Sequence, residues 1–225
     1  MSLSLAFGPS VFMGDEGPAP AFSYRSNYDD TSNATNYSFA SCDLGTPHSS
    51  RLIVVGVKTI GSTSVSSMTI GGIAATLAIT SGSAARSAEL WYALVPQGLT
   101  GTIAVNGSGA STAMRIYVWA GYPSSATPVA AIGDNAASAS LAIANLAKTS
   151  GGFSCFVSGE NENATTGTLT QTGAETVTED HEASLDGAAS TAAMSHINTA
   201  TTTTDDYTRT WSGTNGRGIA GATWA

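Results

Sequence analysis

The chain has 225 residues, a formal net charge of −8 and only 11% charged side chains. It is long enough to bury a core, and too poor in Lys and Arg to compete for nucleic acid or an anionic membrane surface, both of which demand clustered cations. No stretch approaches the roughly 18 consecutive apolar residues of a transmembrane helix, and the opening MSLSLAFGPSVFMG lacks the basic region and cleavage site of a secretory leader. A protein made in a cytosol is expected, with a surface of small hydroxyl side chains that costs little to bury against neighbours.

Residues 1–36 carry apolar groups at Leu5, Phe7, Val11, Phe12 and Phe22, interrupted by Gly17-Pro18-Ala19-Pro20 and followed by a polar Asn/Asp/Ser stretch from Ser26 to Asn36. Such spacing breaks regular structure, so the segment reads as an extended N-terminal arm or a first strand, with Phe7, Phe12 and Phe22 expected to meet a partner. Tyr37 to Leu44 alternates aromatic and small residues and reads as the first secure strand. Arg51 to Ile60, RLIVVGVKTI, is nearly continuous in apolar character, as a strand buried on both faces must be. Met68–Ile70 and Ile73–Ile79 flank Gly71-Gly72, and a glycine pair supplies the positive φ of a two-residue hairpin turn. Leu90 to Val95 carries large side chains on both faces and stops at Pro96; Thr102–Val105 follows after a Gly-rich turn.

Met114 to Ala120 alternates, one face core and the other a row of Arg115, Tyr117 and Trp119, packed under a loop or offered to a partner. Residues 124–137 read as loop. Leu141–Leu146 is a strand or a short helical turn, and Phe153–Val157 is a buried strand. Thr-rich alternation from Gly167 to Val177, Ala192–Thr204, the Tyr207-Arg209-Trp211 strand and Ile219–Trp224 complete the chain. Apolar period two recurs, a helical period does not, and no fixed-length repeat is evident. The expected architecture is all-β, an antiparallel β-sandwich of Ig-like or jelly-roll-like type, with a single domain over residues 37–225.

Chemistry-bearing constellations are sparse. Cys42 and Cys155 sit in apolar strands and read as two buried thiols, with a bridge as the alternative. The three histidines lack ligand spacing. Glu179-Asp180-His181-Glu182 reads as a solvated acidic loop, and Asp29-Asp30 and Asp205-Asp206 lack the spacing of a calcium loop. There is no G-x-S-x-G. Glu89, beside Trp91, is the first suspect for a glycosidase carboxylate, against the plainer reading of an inter-strand polar contact. No catalytic residue, metal or cofactor is therefore assigned.

MTIGGIAATLAI followed by ELWYALVPQGLTGTIAV resembles the hairpin and Pro-terminated strand of Ig-like sandwiches of the IPT/TIG type. Together with YSFASCDLG, RLIVVGV and RIYVWAG, the pattern over residues 37–123 resembles β-sandwich structural proteins of tailed bacteriophages. The resemblance implies a non-enzymatic virion component, assembled in the host cytoplasm: a capsid decoration or cement protein packing on the major capsid protein or other virion proteins. It implies a homo-oligomer, trimer or dimer, with no nucleic-acid or membrane partner. The competing expectation is a fibre or adhesin module that binds glycans through Tyr117, Trp119 and Trp211.

Overall fold

The computed structural model describes residues 21–61, 63–82, 87–160, 167–172, 177–187, 189–199, 204–212 and 216–225. Seventeen strands occupy them. The first nine are β1 (Ser23–Asp30), β2 (Ala34–Asp43), β3 (Leu52–Ile60), β4 (Val65–Ile70), β5 (Ile73–Ala74), β6 (Thr76–Thr80), β7 (Ala88–Leu94), β8 (Thr100–Ser111) and β9 (Ala113–Gly121). The remaining eight are β10 (Ala130–Ala137), β11 (Ser140–Ala147), β12 (Phe153–Glu160), β13 (Gly167–Thr172), β14 (Thr178–Leu185), β15 (Ala189–Ile197), β16 (Thr204–Trp211) and β17 (Gly216–Trp224). Every pairing is antiparallel, and the described residues contain no helix.

The glycine-pair hairpin forms as expected. Ile70 pairs with Ile73, and Gly71 and Gly72 turn between them at φ 58° and 82°. A Cβ on Gly71 would come within 3.2 Å of Val95 Cγ1, whereas one on Gly72 meets nothing within 4 Å. Gly71→Val is therefore expected to cost more stability than Gly72→Val, each bearing at least the roughly 1–2 kcal/mol of a left-handed L-residue. Urea unfolding of the two variants measures this, and equal midpoints with wild type would show the turn to be relaxed.

The strands divide into two sandwiches where the sequence suggests one. The first packs a five-stranded sheet, β1-β9-β3-β7-β6, on a four-stranded sheet, β2-β8-β4-β5; the second packs β10-β17-β12-β15-β14 on β11-β16-β13. In each, the first strand pairs with the last and the third lies beside the last. Of the two connectivities expected, this is the jelly roll. The halves repeat each other strand for strand, β5 having no counterpart, and two of their irregularities recur. A register shift between Phe39 and Cys42 in β2, holding Ser41 at φ 56°, has its counterpart between Ile143 and Leu146 in β11, holding Asn145 at φ 56°. A second shift, between Leu77 and Ile79 in β6, recurs between Glu179 and His181 in β14. Conserved bulges of this kind are built-in features of a fold. The chain thus contains an internal structural repeat that apolar patterning alone does not reveal.

One segment takes one of the two forms expected of it, and two depart from the sequence reading. Of an arm or a first strand, Ser23–Asp30 is a strand, β1, at the sheet edge beside β9; residues 1–20 lie outside the described residues. Residues 130–137, read as loop, form β10 on the edge of the second five-stranded sheet. The acidic run 179–182 is part of β14, paired to β15, and is not a solvated loop. All three are edge strands. An edge strand needs only one hydrogen-bonded neighbour and leaves much of its side-chain surface near water, so polar and small residues suffice.

Three principal cores result. Tyr37, Val55, Met68, Trp91, Ile116 and their neighbours fill the first sandwich; Leu141, Ile143, Phe156, Tyr207 and Ile219 fill the second. Between the two five-stranded sheets lies a third core, to which one half gives Tyr117 and Trp119 and the other Ala193, Ala220 and Ala222 with Phe153, Val157 and Trp224. The molecule is four sheets deep, and its two inner sheets are covered on both faces. That is why β3, β9 and β12 are buried at every position.

Candidate interaction site

The row Arg115, Tyr117 and Trp119 on β9 is the feature that the sequence offered to a partner. The structure places it inside. β9 is an inner strand of an inner sheet, and the face carrying this row looks onto the second sandwich of the same chain. Tyr117 and Trp119 are fully buried and Arg115 is 4% exposed.

Arg115 Nε apart, their polar ends find partners, most of them across this seam. Arg115 pairs with Asp29 at 2.7 Å and donates to Thr191 Oγ1 at 2.9 Å and to the carbonyls of Ala183 and Ser184. The Tyr117 hydroxyl lies 2.6 Å from Thr191 Oγ1. Trp119 Nε1 donates to Asp180 Oδ2 at 2.9 Å, and Ser195 Oγ donates to the same oxygen at 2.6 Å. Burial raises the Asp180 pKa above the usual carboxylate value, against the lowering effect of the Ser195 and Trp119 bonds. Burial also raises the Tyr117 pKa. His181 stands beside the Tyr117 ring, its pKa lowered by burial and then by Arg115. Sequence reasoning missed Asp180 and Thr191 as acceptors of this row, and Ser195 as a second donor to Asp180. An acidic tetrad and scattered hydroxyls carry no signal until β14 and β15 bring them to the seam.

The other candidates are also absorbed into the framework. Glu89 is 1% exposed: Oε1 accepts from Val65 N at 3.0 Å and Ser87 Oγ at 2.5 Å, and Oε2 from Trp91 Nε1 at 2.8 Å. It ties β7 to the start of β4. Cys42 and Cys155 are free and buried, burial lifting the Cys42 pKa to about 11 and that of Cys155 well above its ordinary value. Asp29 is held by Arg115, Asp205 by Lys148 at 2.5 Å, and Asp206 accepts from the Asn145 amide. Among the described residues no three His, Cys, Asp or Glu side chains converge as metal ligands.

The cations are mostly inside. Six of the eight Lys and Arg side chains, Arg51, Lys58, Arg115, Lys148, Arg209 and Arg217, are buried. Arg217 pairs with Glu160 at 2.9 Å, neither side chain exposed, and Arg209 pairs with Glu182; both guanidinium groups lie over the Trp211 ring. Arg51 has four carbonyl acceptors, those of Gly45, Val95, Gln97 and Gly98, and so clamps two loops.

The surface that remains is flat and nearly neutral at both ends of the stack. Exposed positions of β2, β4 and β8 are Ser, Thr, Asn and Ala, among them Asn36, Ser38, Ser67, Thr102 and Asn106. Those of β11 and β16 are Ser140, Ala142, Ala144, Asn145, Thr204, Thr210 and a single charge, Asp206.

Accessible concave surface lies at one end of the seam. A depression of about 480 Å³ involves Ala21, Phe22, Tyr122, Gly152, Phe153 and Ile197, and a neighbouring one of about 320 Å³ shares Phe22 and Ile197 and adds Tyr24, Asp180 and Ser195. Phe22 is half-buried and stacks on Phe153 at 4.4 Å, which in turn stacks on Trp224 at 5.3 Å. Of the arm residues expected to make contacts, Phe22 thus lies in this trough, whereas Phe7 and Phe12 lie outside the described residues. Compared with protein-family models, curated proteins and solved structures, the chain matches none significantly.

Proposed function

We propose that this protein is a non-enzymatic structural component of a phage virion, a capsid decoration or cement protein that packs as a homo-oligomer on the head lattice. One observation carries the reading: six of eight cations are turned inward, which leaves broad outer sheets of hydroxyl, amide and methyl groups. Covering an ionised side chain costs far more than covering a hydroxyl that finds a new partner. Such a surface therefore favours close, repeated packing over recognition of one charged ligand. A jelly roll agrees with this by fold analogy, being an architecture of viral capsid as well as lectin domains. The glycan-binding alternative is not carried further, because Tyr117, Trp119 and Trp211 are buried and offer no ring face to a sugar.

Purified protein mixed with undecorated heads is the test. Saturation in lattice stoichiometry with the major capsid protein is expected, little changed between about 0.1 and 1 M salt, since the exposed positions of β2, β4, β8, β11 and β16 carry a single charge, Asp206, to be screened. Absence of binding, or a handful of copies per particle, would overturn the reading.

A further inference from the structure

The trough at the end of the seam has properties that a small-molecule pocket does not need. Among hydroxyl and amide groups it holds an apolar strip, with Phe22 stacked on Phe153 and Ile197 left 49% exposed at the shared boundary of the two depressions. Tyr24 of β1 and Asp180 of β14 line it, and among the described residues β1 pairs only with β9 and β14 only with β15. Each strand therefore has an edge whose backbone donors and acceptors can take an added extended segment.

The described chain begins at Ala21, on the lip of this trough. Upstream lie residues 1–20, with Leu3, Leu5, Phe7, Val11 and Phe12 and no basic residue. Burial of such side chains is favourable, and 20 residues can extend over about 65 Å, so the segment has both the reason and the reach to cover a distant apolar site. Gly17-Pro18-Ala19-Pro20 joins it to Ala21. Prolines disfavour the α region for the residue before them, which makes this joint poor material for the tight reversal needed to fill the trough of its own copy.

We infer that the trough is the seat of residues 1–20 of a second copy of the chain, so that copies are tied to one another by exchanged N-terminal segments. The inference deepens the decoration reading and rests on it only for the copy-dense setting.

Three full-length proteins test it by light scattering: wild type, Phe7→Asp/Phe12→Asp, and Ile197→Asp. Wild type is expected to self-associate and each variant to be monomeric. An equimolar mixture of the two variants should form a one-to-one complex, because one supplies an intact segment and the other an intact trough. A fluorescent peptide of residues 1–20 should bind the Phe7→Asp/Phe12→Asp protein and lose at least tenfold in affinity when Ile197→Asp is added to it. Ile197 is exposed, so Asp is tolerated there; should that variant lose its β circular dichroism, Ser150→Arg on the exposed rim replaces it. A monomeric wild type, a trough variant that assembles like wild type, or variants that fold yet stay apart when mixed would each overturn the inference. Capsid binding is measured separately, so loss of self-association with heads still decorated, or the reverse, identifies which proposal failed.

Discussion

Trp119→Ala is expected to lower the free energy of unfolding by about 3–5 kcal/mol, the range for removing a large buried aromatic side chain. Trp119 is fully buried at the centre of the core shared by the two sandwiches, so the lost volume cannot be refilled by solvent. Its six-membered ring lies against Gly56, where an added Cβ would come within 3.0 Å of the ring, and that glycine is what lets the indole lie flat on β3. Truncation also removes the Nε1 donor from Asp180, leaving Ser195 as its remaining side-chain donor. Trp119→Phe separates the contributions by keeping most of the packing while losing the hydrogen bond. Urea denaturation is the measurement. Because Trp119 joins the halves, the alanine variant is also expected to broaden the transition or split it into two. A cost below about 1 kcal/mol with a single sharp transition would mean that the seam contributes little to cooperativity.

Lys58 predicts an unusual pH dependence. The side chain is wholly buried, and burial holds its pKa down at about 7 against the raising influence of Glu160 and Glu89. In the unfolded chain the same group keeps its ordinary value of 10.5. Below pH 7 the lysine is protonated in both states and the fold bears the full cost of the buried charge. Between pH 7 and 10.5 the unfolded chain holds a proton that the folded protein has released, so stability rises with pH. The whole span corresponds to roughly 4–5 kcal/mol. Above about pH 9 the opposite sign enters, because Cys42 and Cys155 have raised folded pKa values and ionise first in the unfolded chain. The melting temperature is therefore expected to climb from pH 6 to about 8.5 and then to fall. In Lys58→Met the climb above about pH 7 should disappear and stability at pH 6 should increase, a smaller rise below pH 7 remaining from His181, whose folded pKa is lowered by burial. Glu160 retains Arg217, and Glu89 retains its three donors, so neither carboxylate is orphaned. A melting temperature independent of pH between 6 and 8.5 in wild type would refute this account.

Much of the framework is legible in residue order because local chemistry leaves little choice. Gly71-Gly72 between apolar runs can only turn tightly, RLIVVGVKTI can only be covered on both faces, and Pro96 cannot extend β7; each of these holds in the structure. Alternating apolar period two and the lack of a helical period determine that the chain is all-β. Burial of the two thiols follows in the same way, since each cysteine sits among strand residues that must face a core.

What residue order does not determine is which core a strand face belongs to. Arg115, Tyr117 and Trp119 read identically whether they face a partner protein or a second sandwich of the same chain. Only the pairing of β9 inside its sheet, and the apposition of that sheet to β12, β15 and β17, decides for the latter. The repeat is hidden for a related reason. Topology and bulges are shared, but the equivalent strands β9 and β17 supply the seam with unequal side chains, Tyr117 and Trp119 from the one and Ala220 and Ala222 from the other. Equivalent strands therefore carry dissimilar side chains. The edge strands β10 and β14 escape notice, and β1 reads only as an arm or a first strand, because one hydrogen-bonded neighbour supports them without an apolar pattern. The inward turn of Lys58, Lys148, Arg209 and Arg217 is likewise a tertiary fact: each of these four is buried where a distant carboxylate is delivered to it, and Glu160 or Asp205 reaches its partner through strand pairing and layer packing, not through proximity in the chain.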